Sequence, residues 1–295
     1  VLPDPSYAAY RVGSAVARAL PSPVLPPFAN GAGWAAARAM SGRRAMVRRH
    51  QQRVRPELQG RELERAVDAV FRSYSDYWIE SFRLPGTSAE VLDAGLVTEG
   101  FHHLRDAFDA GRGVIAAMPH LGAWEWAAFW LTQVQDIPVT TVVEQIEPPE
   151  LAAWFTDLRE QLGMEIVPLG PDSGARVLKA ISDGRLISLL CDRDIAGGGV
   201  EVEFFGERTT LPAGPATLAL RTGVALVPST CFFEGDGHRG VVLPPLDTSR
   251  HGKLRDDVAR VTQDLAHALE HLIRLAPEQW HLLQPNWPSD HAEGR

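Results

Sequence analysis

The stretch Val114-Ile115-Ala116-Ala117-Met118-Pro119-His120-Leu121-Gly122-Ala123-Trp124-Glu125 decides how the rest of the chain is read. Its first five residues are uninterruptedly apolar, the pattern of a strand buried on both faces of a parallel sheet. Pro119 ends the run. Trp126-Ala127-Ala128-Phe129-Trp130-Leu131 then has the composition of a buried helix. His120 therefore falls at a strand-to-helix junction, where α/β enzymes commonly place their chemistry. Residues five apart in a helix are rotated by roughly 140°. His120 and Glu125 can meet only if the histidine lies on the turn before the helix, a turn that Gly122 permits. A carboxylate on one imidazole nitrogen fixes the tautomer and leaves the other nitrogen as a general base.

Working outward, the same alternation continues. The pattern predicts helices over 101–111, 123–133, 148–162, 173–183, 215–222 and 253–275. It predicts strands over 113–118, 139–143, 166–169, 186–190, 200–205 and 224–231. A hairpin is expected in 232–242 around Gly235-Asp236-Gly237. On the N-terminal side, 7–20, 33–55 and 61–83 read as helices. Leu63, Val67, Val70, Phe71, Tyr74, Tyr77, Trp78 and Phe82 fall at helical spacing on the last of these, and Pro85-Gly86 ends it. The expected fold is α/β, a mixed central sheet flanked by helices, with an N-terminal helical cap. Residues 1–60 form that cap and 61–295 the α/β domain, the two expected to build one structural unit.

The chain has 295 residues, 45% of them apolar, and a net charge of −8, which disfavours a general nucleic-acid binder. The charge is unevenly spread. Residues 1–60 hold Arg11, Arg18, Arg38, Arg43, Arg44, Arg48, Arg49, Arg53 and Arg55 against Asp4 and Glu57, a net +7 on an otherwise acidic body. A basic, apolar segment of this kind suits an anionic membrane surface, and an ordinary solvated helix face is the alternative. No stretch of 18 apolar residues predicts a transmembrane helix, and the N-terminal region lacks the pattern of a cleaved secretion signal. Cys191 and Cys231 lie in apolar runs and read as buried free thiols, too few for a zinc site or a disulfide framework. His102, His103, His267, His271 and His281 have no metal-ligand spacing and read as surface or core histidines. No metal site is expected.

The sequence has no Gly-x-Ser-x-Gly elbow, P-loop, dinucleotide fingerprint or His-Glu-x-x-His helix. A base without a serine or cysteine nucleophile fits direct attack by a substrate hydroxyl on an activated thioester.

His120-Leu-Gly-Ala-Trp-Glu125 resembles the His-x4-Asp/Glu motif of lipid acyltransferases. Phe204-Phe205-Gly206, followed by Pro212-Ala213-Gly214-Pro215-Ala216, is similar to the bacterial lipid A biosynthesis acyltransferase family, as is Arg159-Glu160-Gln161-Leu162-Gly163 ahead of a strand. Within that family the phosphatidylinositol mannoside acyltransferases are most similar. Tyr77-Trp78-Ile79-Glu80-Ser81-Phe82-Arg83-Leu84-Pro85, Thr140-Thr141-Val142-Val143-Glu144, Asp192-Arg193-Asp194 and Trp280-His281-Leu282-Leu283-Gln284-Pro285 carry this likeness. It covers residues 60–288.

The resemblance implies transfer of a fatty acyl chain, typically palmitoyl, from acyl-CoA to a mannose hydroxyl of a phosphatidylinositol mannoside. The usual acceptor is the 6-position of the 2-linked mannose. Acyl-CoA is then a co-substrate, and no cofactor is required. The place of work is the cytoplasmic face of the plasma membrane, as a peripheral protein. The implied catalytic residues are His120, Glu125 and Asp192. Relatives often carry Asp at the first acid position and Glu at the second, so which acid partners the histidine stays open. Glu144, Arg159, Arg193, Asp194 and Gly214 are the candidate substrate-binding residues. Arg159 suits a phosphate headgroup, and the Pro212–Pro215 turn could present helix N–H groups to an anion. Structural ion pairs and a rigid turn are the competing readings. Two other functions remain at this stage: an acyl-carrier-protein-dependent lipid A-type enzyme, whose relatives usually carry an N-terminal membrane helix, and a non-catalytic lipid-binding protein. Either enzyme needs an apolar acyl channel beside His120, with Trp124, Trp126, Phe129 and Trp130 as candidate walls and Ala123, Ala127 and Ala128 leaving room.

Overall fold

A computed structural model describes residues 5–21, 24–144, 146–195 and 197–294. Its centre is a seven-stranded sheet made of β1 (Leu96–Glu99), β2 (Val114–Met118), β3 (Val139–Val143), β4 (Glu165–Pro168), β5 (Leu186–Leu190), β8 (Ala225–Glu234) and β9 (Gly237–Val242). The strand order is β1-β9-β8-β2-β5-β3-β4, and every neighbouring pair is parallel except the β8–β9 hairpin. β6 (Val200–Phe204) and β7 (Glu207–Leu211) form a separate antiparallel ribbon. This is the mixed sheet the sequence pattern predicts.

β2 shows why the sheet needs helices on both faces. Ile115 and Ala117 enter the core cluster built with α9 (Ser173–Ser182), α10 (Gly214–Thr222) and α11 (Leu254–Leu275). Val114, Ala116 and Met118 alternate into the cluster built with α4 (Gly60–Arg83) and α7 (Trp124–Gln133). All five residues are buried, which is why the run is apolar without interruption.

The structure departs from the sequence pattern in three places. The helix expected over 33–55 is two helices, α2 (Leu25–Ala39) and α3 (Ser41–Val54), broken at Met40. α2 begins earlier because Pro26 and Pro27 fit its first turn, where no N–H is needed. Its Gly33 lies so near α4 that a Cβ would sit 2.8 Å from the Phe71 carbonyl. β1 and the short α5 (Ala89–Ala94) carry no periodic signal, since β1 is an edge strand with three of its four residues exposed. β7 holds one apolar residue in five and becomes a strand by pairing with β6.

The N-terminal helices rest on α4. Ala17 of α1 (Pro5–Ala19) and Ala29 of α2 share a core cluster with Ile79 and Phe82, completed by Leu151, Phe155 and Leu158 of α8 (Pro149–Gln161). Much of the basic charge of this region is consumed internally. Arg44 and Arg48 each lie 2.6 Å from Glu64. Arg53 pairs with Glu207 and Asp290, and Arg55 with Glu278. Outward among the described residues lie apolar Val12 (64% exposed), Val16, Phe28 and Trp34 (59%) beside the exposed Arg11, Arg18, Arg38 and Arg43, with the Arg38 guanidinium 4.0 Å above the Trp34 ring. Among the described residues no helix is long and apolar enough to cross a membrane.

Candidate active site

The site follows from strand register. β2 and β5 run parallel, with Met118 beside Leu190. Two residues further along each chain come His120 and Asp192, so the register that pairs the strands also places these two side chains together. Asp192 Oδ1 lies 2.6 Å from His120 Nδ1. Its Oδ2 accepts the His120 backbone N–H at 3.0 Å and the Trp280 indole N–H at 2.7 Å. Asn286 Nδ2 donates to the Asp192 carbonyl at 2.9 Å. With a carboxylate at Nδ1, the imidazole proton sits there, and Nε2 is left as the acceptor with no protein partner among the described residues.

The turn carrying His120 is pinned on two sides. Gly122 adopts φ +63°, and a Cβ there would lie 2.3 Å from the Cys231 carbonyl oxygen. Leu121 bridges Trp280 in antiparallel fashion, with His281 N–H donating to the His120 carbonyl at 2.7 Å and Gly122 N–H to that of Gln279 at 3.0 Å.

The electrostatics match a held base. Burial disfavours a charged His120, but the charge and hydrogen bond of Asp192 outweigh it and raise the pKa above the ordinary value of 6.5. Arg193 opposes this rise and Glu144 adds to it. Burial would lift Asp192, yet His120, the indole and the backbone amide hold it below the usual carboxylate value.

Glu125 is not the histidine's partner. It opens α7 and turns into the protein, where Tyr77 Oη donates to its Oε1 at 2.7 Å and Arg159 Nη2 at 3.0 Å. Burial pushes its pKa up despite these partners, and its Oε2 is buried without one. Arg159, on α8, also covers the Trp124 ring at 5.2 Å.

The remaining candidates divide. Glu144 follows β3 at the same edge of the sheet, with Arg193 Nη1 3.6 Å from its Oε2. Asp194 instead accepts the backbone N–H groups of Gly197 and Gly199 and so braces its own loop. Gly214 opens α10, and no described hydrogen bond ties it to the His120–Asp192 pair. Three residues that the sequence did not single out as site candidates adjoin the pair: Tyr77, read as part of a helix stripe, Trp280, quoted only within a resemblance motif, and His281, read as a surface or core histidine. Ser73 Oγ lies 2.9 Å from His281 Nε2, and the His281 ring packs against Tyr74 and Tyr77 at 5.4 and 5.5 Å. Nothing in their local spacing marks them, because chain segments 200 residues apart bring them together. No group of three or more His, Cys, Asp or Glu among the described residues has metal-binding geometry.

Under α7 lies an apolar cavity of about 50 Å³, bounded on one side by Met118 at the end of β2. Of the expected walls, Trp124, Ala127, Ala128 and Trp130 line it, joined by Met118 and Leu131. Trp126 faces away and stacks on His238 at 4.1 Å, and Phe129 and Ala123 are ordinary core. The split follows helix geometry, since 124, 127, 128 and 131 share one face.

A strand-end histidine held at Nδ1 by a buried carboxylate, with Nε2 unpartnered among the described residues, has the geometry of a general base. The chain belongs to the bacterial lipid A biosynthesis acyltransferase family, whose model matches residues 4–289. It is 40% identical over 290 residues to the phosphatidylinositol mannoside acyltransferase of Mycolicibacterium smegmatis, covering 97% of this chain and 92% of that protein. Proteins of the same name from Mycobacterium tuberculosis strains CDC 1551 / Oshkosh and ATCC 25618 / H37Rv are each 42% identical over 232 residues, or 77% of this chain and 72% of theirs. The protein is an enzyme of the acyltransferase type.

Proposed function

We propose that the enzyme moves a fatty acyl chain, palmitoyl in the first instance, from acyl-CoA to a mannose hydroxyl of a phosphatidylinositol mannoside, at the 6-position of the 2-linked mannose. The observation that carries this reading is the free Nε2 of His120 opposite its Asp192 hydrogen bond. His120 takes the proton of the acceptor hydroxyl, whose oxygen attacks the thioester carbonyl carbon. The C–O bond forms, the C–S bond breaks, and the proton passes from the imidazolium to the departing thiolate. Asp192 holds the ring and stabilises its transient charge. Arg193 and Glu144 at the same edge serve the polar substrate groups, and Glu125 with Arg159 builds the floor beneath the acceptor.

The acyl chain enters beside α7. At about 50 Å³ the cavity is smaller than the ~150 Å³ that takes a benzene ring, so filling it requires Trp124, Trp130 or Leu131 to shift. Docking on the cytoplasmic leaflet rests on the outward apolar residues of α1 and α2, helped by Arg11, Arg38 and Arg43. Vesicle sedimentation with Phe28→Ser and Trp34→Ser should show weakened binding, and unchanged binding contradicts this docking face.

Mass spectrometry of products after incubation with mixed acyl-CoAs and glycolipid acceptors tests the whole reading. A mannose ester with palmitoyl preferred supports it. Acylation only from acyl carrier protein, or of no mannolipid, rejects it.

A further inference from the structure

The acyl transfer proposed above builds negative charge on the thioester oxygen, and the turn that usually supplies N–H donors to such an oxygen is already occupied. The backbone N–H of Leu121 donates to Pro119, that of Gly122 to Gln279 and that of Ala123 to Cys231. His120 N–H goes to Asp192 and Asn286 Nδ2 to the Asp192 carbonyl. Residues 120–123 therefore leave no free backbone N–H for that oxygen.

His281 is directly across from His120. In the antiparallel bridge that pairs Leu121 with Trp280, the next opposed pair is His120 and His281, joined by the 2.7 Å bond from His281 N–H. Opposed residues send their side chains to the same side, with Cα atoms about 5.5 Å apart. Ser73 Oγ lies 2.9 Å from His281 Nε2 and has no other hydrogen-bond partner among the described residues, which leaves its hydroxyl free to donate there. That bond puts the ring proton on Nδ1. Nδ1 has no hydrogen-bond partner among the described residues, and the residue as a whole keeps 9% of its surface exposed.

We propose that His281 is a second catalytic histidine, whose Nδ1–H donates to the thioester carbonyl oxygen as that oxygen becomes negative. The electron pair of the C=O bond moves onto this oxygen when the acceptor attacks, and returns when the thiolate leaves. Burial, with His120 adding to it, holds the His281 pKa down to about 3, so the ring stays neutral and works as a donor, never as a competing base. This division assigns proton transfer to one histidine and charge stabilisation to its neighbour.

The inference rests on the acyl-transfer reading, and the test separates the two. The full-length enzyme is assayed with palmitoyl-CoA and a phosphatidylinositol mannoside, with melting temperatures measured for each variant. His281→Ala should lose about 10²- to 10³-fold in kcat, the usual cost of one oxyanion donor, with KM for either substrate little changed. His281→Asn places an amide N–H near the position of Nδ1 and should recover much of the rate. His281→Gln, whose donor mimics Nε2, should not. If His281→Ala fails to fold, the Asn and Gln pair decides. A folded His281→Ala within about threefold of wild-type kcat overturns the proposal. So does equal impairment by Asn and Gln, which marks a structural role. A rise in glycolipid KM at constant kcat overturns it too, by making His281 an acceptor contact. A wild-type enzyme that transfers no acyl group sinks the parent reading and this inference with it.

Discussion

Two buried carboxylates flank the turn at His120, and they behave in opposite ways. Asp192 is satisfied at both oxygens by His120, the backbone amide and the Trp280 indole, and its pKa is held low. Glu125 meets Tyr77 and Arg159 through Oε1 alone, keeps Oε2 unpartnered, and has its pKa raised by burial. Depth does not separate them, since both are almost fully buried. What separates them is where their elements end. Asp192 follows a strand in register with the strand that ends at His120. Glu125 sits on the first turn of a helix that points it at α4 and α8. In the proposed reaction the first carboxylate is an ionised anchor for the base. The second is half of a buried ion pair that ties three helices together.

The largest expected effect falls on the Asp192 side. His120→Ala should lower kcat by about 10²- to 10⁴-fold, as loss of a positioned base does. Asp192→Asn should approach that loss with the fold intact, and steady-state kinetics with circular dichroism would check both. A Glu125→Gln variant as damaged as Asp192→Asn would erase the contrast between the two acids.

On the Glu125 side the expected loss is stability. Arg159→Met strands a buried carboxylate and should cost about 3–5 kcal/mol in denaturant unfolding. A loss under about 1 kcal/mol would mean Glu125 is not charged in the fold. Trp280→Phe removes one donor to an ionised Asp192 and keeps most of the packing. It should cost about 1.5–3 kcal/mol and lower kcat without affecting substrate KM. An unchanged kcat would show that His120 and the backbone amide suffice.

The smallest effect concerns the cavity under α7. Ala127→Phe should shift preference toward shorter acyl-CoAs, each methylene excluded removing roughly 0.8 kcal/mol of binding. Competition between donors of different length measures this. An unchanged preference would move the acyl path away from this helix face.

How much of this was visible in the sequence depended on whether the signal was local. Val114–Met118 and Leu186–Leu190 announce themselves as buried strands, and Pro119-His120 marks the strand end. The same runs hold the proposed catalytic pairing, because each is followed two residues later by His120 or Asp192. What the linear pattern lacks is the register that brings Leu190 beside Met118. Without it, Glu125 competes on sequence proximity alone, and proximity misleads when a helix rotates the side chain inward. Trp280 and His281 were legible only as part of a resemblance motif, and His281 also as a surface or core histidine, since their placement comes from a bridge to Leu121 across about 160 positions of chain. The basic N-terminal segment was legible only as a count. Charge can be counted from sequence, but Glu64, Glu207, Glu278 and Asp290 neutralise several of its arginines only once the helices pack.

The central claim is that Asp192, by strand register, holds His120 as the base. It is tested most directly by the pH dependence of kcat/KM for acyl transfer, measured on wild type and Asp192→Asn. His120 is active when deprotonated, and Asp192 raises its pKa, so the wild-type rate should climb with pH through an apparent pKa above 6.5. Removing the charge should move that limb to lower pH while the plateau falls. A limb at the same pH in both proteins would contradict the account.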